Sequence, residues 1–247
     1  MEHSSDTIQH LTIVTWNCNG ALRKKFHLLD EVHADLHIIQ ECENPSQTND
    51  ANYIDWAKNY LWTGDNKNKG LGIFAKEHFN LSRLNWSPQY DENEAKYFLP
   101  CSVNDSFNLL AVWAHKNNSR KFEYIGQAWQ YFTINTNELR NIIIAGDLNS
   151  NTIWDKPKRY WNHSDVVNML SQKNIISLYH DFENEQQGKE TTPTLFLQKN
   201  IEKPYHIDYI FSDLRILKDK STLSIGKPEE WLKHSDHMPV IADLVFK

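Results

Sequence analysis

The chain has three cysteines, Cys18, Cys42 and Cys101. Three thiols cannot all pair, so a disulfide framework is excluded. No apolar run approaches the ~20 residues that cross a bilayer. The opening residues, Met1-Glu2-His3-Ser4-Ser5-Asp6, lack the apolar stretch of a secretory leader. These absences lead to the expectation of a soluble protein in a reducing, cytoplasmic compartment. A surplus of positive charge is missing too. The formal net charge is −6, which argues against a broadly basic surface that coats nucleic acid. It leaves room for a nuclease whose acids surround a metal. His33 and His37 stand four apart, but a helix-to-strand boundary separates them. No thiol or carboxylate accompanies them at zinc spacing, so no zinc site is expected. Internal repeats, low-complexity linkers and a domain boundary are also lacking.

What is present is an ordinary globular composition, 40% hydrophobic and 23% charged over 247 residues. Such a length suits one α/β or α+β domain. We assign residues 1–10 to a short polar tail and 11–247 to that domain. Nine Trp, ten Tyr and eleven Phe exceed what a small core needs, and aromatics can also stack on bases or sugars.

The chain is organised around Gly146-Asp147-Leu148-Asn149-Ser150-Asn151. It follows Asn141-Ile142-Ile143-Ile144-Ala145, a β-branched run that reads as a buried strand ending in a loop. Burial explains the isoleucines but not a carboxylate and an amide two positions apart. Rigidly held oxygen donors suit a hard cation such as Mg²⁺. Other strand ends repeat the pattern. Leu11 to Trp16 reads as a strand ended by Asn17-Cys18-Asn19-Gly20. Leu22, Phe26, Leu29 and Val32 recur at helical spacing, which predicts an amphipathic helix over Ala21 to His33. Leu36 to Gln40 follows as a strand ending in Glu41. A strand–helix–strand unit favours a parallel pair, which sets Asn17 and Glu41 at one sheet edge. Strands are also expected at Gly70–Ala75, Tyr97–Val103, Phe107–Ala114 (ending in His115), Tyr205–Phe211 (carrying Asp208) and Val240–Phe246. Helices are expected between Phe122 and Leu139 and from a Ser164 cap to about Gln172, with Val167 and Leu170 on the buried side. The polar stretch Glu183 to Glu190 reads as a mobile loop.

Together Thr15-Trp16-Asn17-Cys18-Asn19-Gly20, Ile39-Gln40-Glu41, Gly146-Asp147-Leu148-Asn149, His206-Ile207-Asp208-Tyr209-Ile210 and Ser235-Asp236-His237-Met238-Pro239 resemble, in order and spacing, the endonuclease/exonuclease/phosphatase superfamily of DNase I-like and exonuclease III-like enzymes. The resemblance implies a four-layer α/β sandwich, with two mixed β-sheets packed face to face, helices outside, and a site at one end. It implies a Mg²⁺-dependent phosphodiester hydrolase, with Mn²⁺ able to substitute. Glu41 is then the principal metal carboxylate, with Asn17 and Asp236 nearby. Asp147 orients or deprotonates the attacking water, and Asn149 donates to a phosphate oxygen. His237 is the catalytic histidine and Asp208 holds its other ring nitrogen. Whether His237 or Asp147 takes the proton stays open at this level. His115 matches a leaving-group histidine of the nucleases, sphingomyelinases and deadenylases. Abasic-site endonucleases usually carry Tyr-x-Pro-Asn there, whereas this chain reads Trp113-Ala114-His115-Lys116.

Substrate contacts are expected from Asn19, Asn151 and His206, and from Lys156, Lys158 and Arg159, a basic stretch with Tyr160 and Trp161 beside it. Lys116, Arg120 and Lys121 offer a second basic lip, and Arg23, Lys24 and Lys25 a solvated helix face. Cys18 and Cys42 are expected as small packing residues. The expected partner is a nucleic acid substrate, DNA ahead of RNA, with no obligate protein partner evident. The alternatives are a phospholipid or inositol-phosphate phosphodiesterase or phosphatase on the same site, and a non-catalytic binding module.

Overall fold

A computed structural model describes residues 9–116 and 122–247. Its strands run His10–Asn17 (β1), Leu36–Cys42 (β2), Tyr60–Asn66 (β3), Lys69–Ala75 (β4), Leu81–Arg83 (β5), Gln89–Tyr90 (β6), Asn93–Glu94 (β7) and Phe98–Val103 (β8). They continue as Phe107–Trp113 (β9), Ile142–Asp147 (β10), Ile175–Ser177 (β11), Leu195–Phe196 (β12), Pro204–Tyr205 (β13), Asp208–Asp213 (β14), Thr222–Ile225 (β15) and Val240–Val245 (β16). The helices are His27–Asp30 (α1), Ala51–Trp56 (α2), Ile125–Ile134 (α3), His163–Ser171 (α4), Leu178–Glu183 (α5) and Pro228–Trp231 (α6).

One six-stranded sheet has the order β15-β16-β1-β2-β4-β3, and the other β11-β14-β10-β9-β8-β5. Each has one parallel pair at its centre, β1 with β2 and β10 with β9. Its other pairs are antiparallel.

The period-two pattern of the strands builds the layers. On β1, Leu11 and Ile13 face the other sheet, whereas Val14 and Trp16 face outward. On β10, Ile143 and Ala145 point inward, and Ile142 and Ile144 outward. The inner faces form the central core with Ile38, Leu71, Leu99, Leu109 and Ile210. α3 and α4 cover the outside of the second sheet. The outer face of the first packs on Leu22, Leu29, Tyr53 and Trp231. The arrangement is the expected four-layer sandwich. Truncating one central side chain, such as Ile143→Ala, would cost about 2–5 kcal/mol, because transfer and cavity terms add.

Several local expectations are corrected. The helix over Ala21–His33 is two short pieces, a 3₁₀ turn at Leu22–Lys24 and the single turn of α1. The chain breaks at Lys25 (φ −131°), whose ammonium reaches back to the carbonyls of Cys18 and His234. α4 is capped by Asn162, not Ser164, in a reciprocal box with Asp165, and Val166 rather than Val167 is buried with Leu170. The strand expected over Tyr205–Phe211 is interrupted at His206-Ile207, because β13 belongs to a separate hairpin with β12. The polar stretch 183–190 is held in place. Glu190 Oε1 accepts from Asn151 Nδ2, the Gly188 amide and His180 Nε2, and Glu185 accepts from Tyr179 and Thr191. Arg120 and Lys121 lie outside the described residues.

Candidate functional site

The site lies where the central strands of both sheets end. In the parallel β1–β2 pair Asn17 is opposite Gln40, so Asn17 and Glu41 emerge side by side. Glu41 sits at a register shift between Gln40 and Cys42, with φ +62°. Such a bulge re-aims a side chain. In the other sheet β10 runs on through Gly146 to Asp147, further than the Gly-Asp turn chemistry suggests. There Asp147 faces Asp208, the first residue of β14. Gly146 has φ +148°, and a Cβ there would lie 1.8 Å from the Val112 carbonyl oxygen. Only glycine lets β9 come this close just before Asp147.

Two fully buried carboxylates opposite one another need compensation, and the surroundings supply it. Asp147 Oδ2 accepts from Asn17 Nδ2 at 3.1 Å and Asn149 Nδ2 at 2.9 Å, and its Oδ1 accepts from the Asn149 amide at 2.7 Å. The His237 ring meets Asp208 through Nδ1, 2.9 Å from Oδ2 and 3.1 Å from Oδ1. One ligand atom each of Asp147, Asp208 and His237 falls within a 4.8 Å cluster that could hold a metal ion.

The electrostatics follow. Burial and the Asp208 charge push Asp147 up to about 7, partly opposed by His237 and the hydrogen bonds of Asn17 and Asn149. Burial alone would lower His237. The Asp208 carboxylate and its hydrogen bond outweigh that, with help from Asp147 and Asp236, and raise it to about 10. The Cys18 and Cys42 thiols are buried and pushed up by desolvation, as expected of packing residues.

Side chains absent from the sequence reading lock this arrangement. Thr194 Oγ1 accepts from the amides of Ile207 and Asp208, 3.0 Å each. The Trp16 indole donates to the His237 carbonyl at 3.0 Å, and Ser235 Oγ bridges the Asn17 carbonyl and the His237 amide. Ser235 and Trp16 were within quoted motifs, so their positions carried a signal. Thr194, in the run Thr191-Thr192-Pro193-Thr194, carried none.

On the open side, Asn19 joins the two arms of the site. Its amide donates to Asn17 Oδ1 and its side chain to Asp236 Oδ1, 3.1 Å each. Glu41 Oε2 accepts from Lys69 Nζ at 2.9 Å. Here a cationic side chain already occupies the space beside the expected metal carboxylate. Glu41, Asn17 and Asp236 carry hard oxygen donors of the kind a Mg²⁺-type cation takes. His115 follows β9 beside this opening. Its ring packs against Trp113 at 4.7 Å and Tyr97 at 5.5 Å, while Asn149 Nδ2 donates to the preceding Ala114 carbonyl.

The remaining expected contacts are placed as follows. Asn151 is buried and turned inward, donating to Glu190, the His206 carbonyl and the Tyr209 hydroxyl. His206 is also buried, with Nδ1 on the Thr192 carbonyl and Nε2 unpartnered. Both line a cavity of about 240 Å³ with Ile153 and Tyr205, so they brace the loop rather than join the Asp147–Asp208–His237 cluster. Arg159 is spent internally. Its Nε donates to Asn162 Oδ1, its Nη2 to the Trp154 carbonyl, and it lies 4.4 Å over the Trp161 ring. Lys156 and Lys158 are exposed. Arg23 pairs with Glu43 and Lys116 with Glu123.

A four-layer sandwich with a polar cluster at the ends of both sheets defines the DNase I-like endonuclease/exonuclease/phosphatase fold. Neither a protein-family model nor a curated relative matches the sequence. Among solved structures, the chain is similar to an AP endonuclease from Archaeoglobus fulgidus (TM-score 0.68, 17% identity, covering 96% of this chain and 99% of that one). It is similar to the 3′ phosphatase NExo from Neisseria bound to a product DNA hairpin (0.65, 18%, 95% and 99%). It is also similar to truncated TDP2 of Caenorhabditis elegans (0.62, 15%, 96% and 98%). Identities this low establish the fold.

Proposed function

We propose that this chain is a divalent-metal-dependent phosphodiester hydrolase acting on nucleic acid, DNA ahead of RNA. The observation that carries the reading is the hydrogen-bonded chain Asp208–His237 and Asn17–Asp147–Asn149, built at 2.7–3.1 Å across two sheets. A packed core has no need of it. The similarity to enzymes whose names are AP endonuclease and 3′ phosphatase supports the substrate class.

Glu41, with Asn17 and Asp236, would hold the cation, which when bound supplies charge neutralisation at the scissile phosphate. The rest of the chemistry belongs to the side chains. Asp147, fixed on both oxygens, orients the attacking water and takes its proton. His237, clamped through Nδ1 by Asp208, keeps its other ring nitrogen for a phosphate oxygen and opposes the charge that grows there. Asn149 fixes Asp147, its two side-chain N–H groups being spent on Asp147 and the Ala114 carbonyl, and His115 is assigned to the leaving oxygen. Asn19 sets the separation of Asn17 and Asp236.

The test is hydrolysis of labelled single- and double-stranded DNA, RNA and an abasic duplex with Mg²⁺, with Mn²⁺ and with EDTA, alongside His237→Ala. We expect metal-dependent cutting that vanishes in the variant. Cutting of none of these, with hydrolysis of a phospholipid or inositol phosphate, would transfer the same site to the second substrate class. Exposed Leu197 and Ile201 near the site give that class a physical basis.

A further inference from the structure

In the sequence, phosphate contacts are expected after β10, at Lys156–Arg159. The structure gathers cations on another side of the site. Lys199 is on the loop of the β12–β13 hairpin, and its ammonium donates to the Lys233 carbonyl at 3.0 Å. Lys25 donates to the carbonyls of Cys18, at 2.6 Å, and His234, at 2.9 Å. These tethers bring Lys25, Lys199, Lys233, His27 and His234 together. Burial and then the charges of Lys233, Lys25, His27 and Lys199 hold the His234 ring below its ordinary value.

Among the described residues, none of Lys25, Lys199 and Lys233 has a carboxylate at ion-pair distance. The nearer acids are engaged elsewhere, Glu43 with Arg23 and Glu41 with Lys69. Gathering like charges without counter-charge destabilises a fold. Here main-chain carbonyls hold the ammoniums of Lys25 and Lys199 without neutralising them, and the exposed Lys233 stands beside them, its own carbonyl holding Lys199. The cluster also adjoins the site. Cys18 stands between Asn17 and Asn19, His234 is two residues before Asp236, and the Phe196 amide of the same hairpin donates to the Asp236 carbonyl at 2.8 Å.

We propose that Lys25, Lys199 and Lys233 form a phosphate-binding rim, which holds the nucleic acid backbone on one side of the scissile bond. This rests on the phosphodiesterase reading and deepens it. A polynucleotide carries its phosphates at fixed positions along the backbone, and ammonium groups held by main-chain carbonyls suit such a ligand. A bilayer surface makes no such demand. The base of the hairpin adds the other half of nucleic acid chemistry. Tyr205 there packs 5.2 Å from Trp154, which is 42% exposed, a platform that suits a base. The rival is an anionic lipid surface, since Leu197 and Ile201 on the same loop are 40% and 55% exposed.

The experiment measures fluorescence anisotropy of a labelled single-stranded DNA and a duplex, in EDTA so that no cutting intervenes, over a range of salt. The protein is the full chain, compared with Lys199→Glu/Lys233→Glu and with the neutral pair Lys199→Gln/Lys233→Gln. A charge-matched control, Lys218→Glu/Lys220→Glu, alters exposed lysines beside Val245, at the opposite end of β16 from the site. Circular dichroism checks each fold. We expect the Gln pair to lose about tenfold or more in affinity and the salt slope to shrink by about 2, one for each phosphate contact, with the control unchanged. Equal affinity in the Gln pair, or equal losses in the site and control Glu pairs, overturns the rim. So does lysine-dependent binding to phosphatidylserine vesicles without lysine-dependent binding to DNA. Rim-dependent DNA binding without any hydrolysis in Mg²⁺ would sink the hydrolase reading and leave the rim standing. Hydrolysis of DNA with unaltered binding in the variants would do the reverse.

Discussion

The two sheets are built alike and end differently. Each has a central parallel pair, β1 with β2 and β10 with β9, flanked by antiparallel strands. Corresponding strands deliver corresponding residues. β1 ends in Asn17 and β10 in Asp147, which meet at 3.1 Å. β2 carries Glu41 near its end, and β9 is followed by His115. β16 is preceded by His237 and β14 starts at Asp208, which meet at 2.9 Å. The first sheet offers the buried Asn17 amide and the partly exposed Glu41 carboxylate, the latter with Lys69 as neighbour. The second offers two carboxylates with no exposure at all. The same backbone geometry thus serves two kinds of chemistry. The wet end suits a cation, and the dry end alters proton affinity.

The largest effect expected from breaking this division is at the dry end. His237→Ala and Asp208→Asn should each lower kcat by about 10²–10⁴-fold, while Mn²⁺ binding measured by calorimetry stays close to the parent's. Glu41→Gln should instead weaken Mn²⁺ binding by more than about tenfold. Equal weakening of the metal by Asp208→Asn and Glu41→Gln would erase the distinction between the two ends.

Next in size is the backbone under Asp147. Gly146→Ala forces a Cβ into the Val112 carbonyl at a φ that side chains avoid. A loss of about 3 kcal/mol or more is expected in urea denaturation. A loss below about 1 kcal/mol would show that β9 and β10 can separate there without cost.

The comparison extends to pH. Each half of the sandwich has a buried histidine, His37 on β2 and His163 at the start of α4, both lowered to about 4, chiefly by desolvation. Their folded values lie below the unfolded value, so the unfolded chain binds more protons between them. This stability is present above about 6.5 and is lost as pH falls toward 4. Denaturation midpoints should drop over that window, and His37→Phe should flatten part of the drop. An unchanged slope in the variant would remove His37 from the account. The smallest effect is expected at Arg159→Ala. Stability should fall by about 1 kcal/mol through its lost bond to Asn162, and DNA affinity should hardly move.

Much of this was legible in sequence because the strand ends combine β-branched runs with unexplained polar residues. Ile142–Ile144 before Asp147 and Leu36–Ile39 before Glu41 show both the strand and the residue that burial does not require. The helix expected over Ala21–His33 failed for a tertiary reason, since Lys25 is drawn to carbonyls of Cys18 and His234, and the latter is distant in sequence. The interruption at His206-Ile207 was hidden because Tyr205 and Asp208 belong to different sheets while the apolar pattern runs through both. Thr194 gave no signal, because its role depends on amides it meets only after folding. Within the basic stretch Lys156–Arg159, the internal role of Arg159 was hidden for a similar reason. Composition shows charge but not that Arg159 is turned onto Asn162 and Trp161.

The pairing of β1 with β16 has a consequence for how the site assembles during synthesis. His237 meets Asp208 and receives the Trp16 indole only after the last strand is added beside one of the first. Until residues beyond 237 have left the ribosome, a growing chain holds Asn17, Glu41 and Asp147 without their histidine. The Asp208–His237 pair therefore forms only once strands distant in sequence from both sheets have come together.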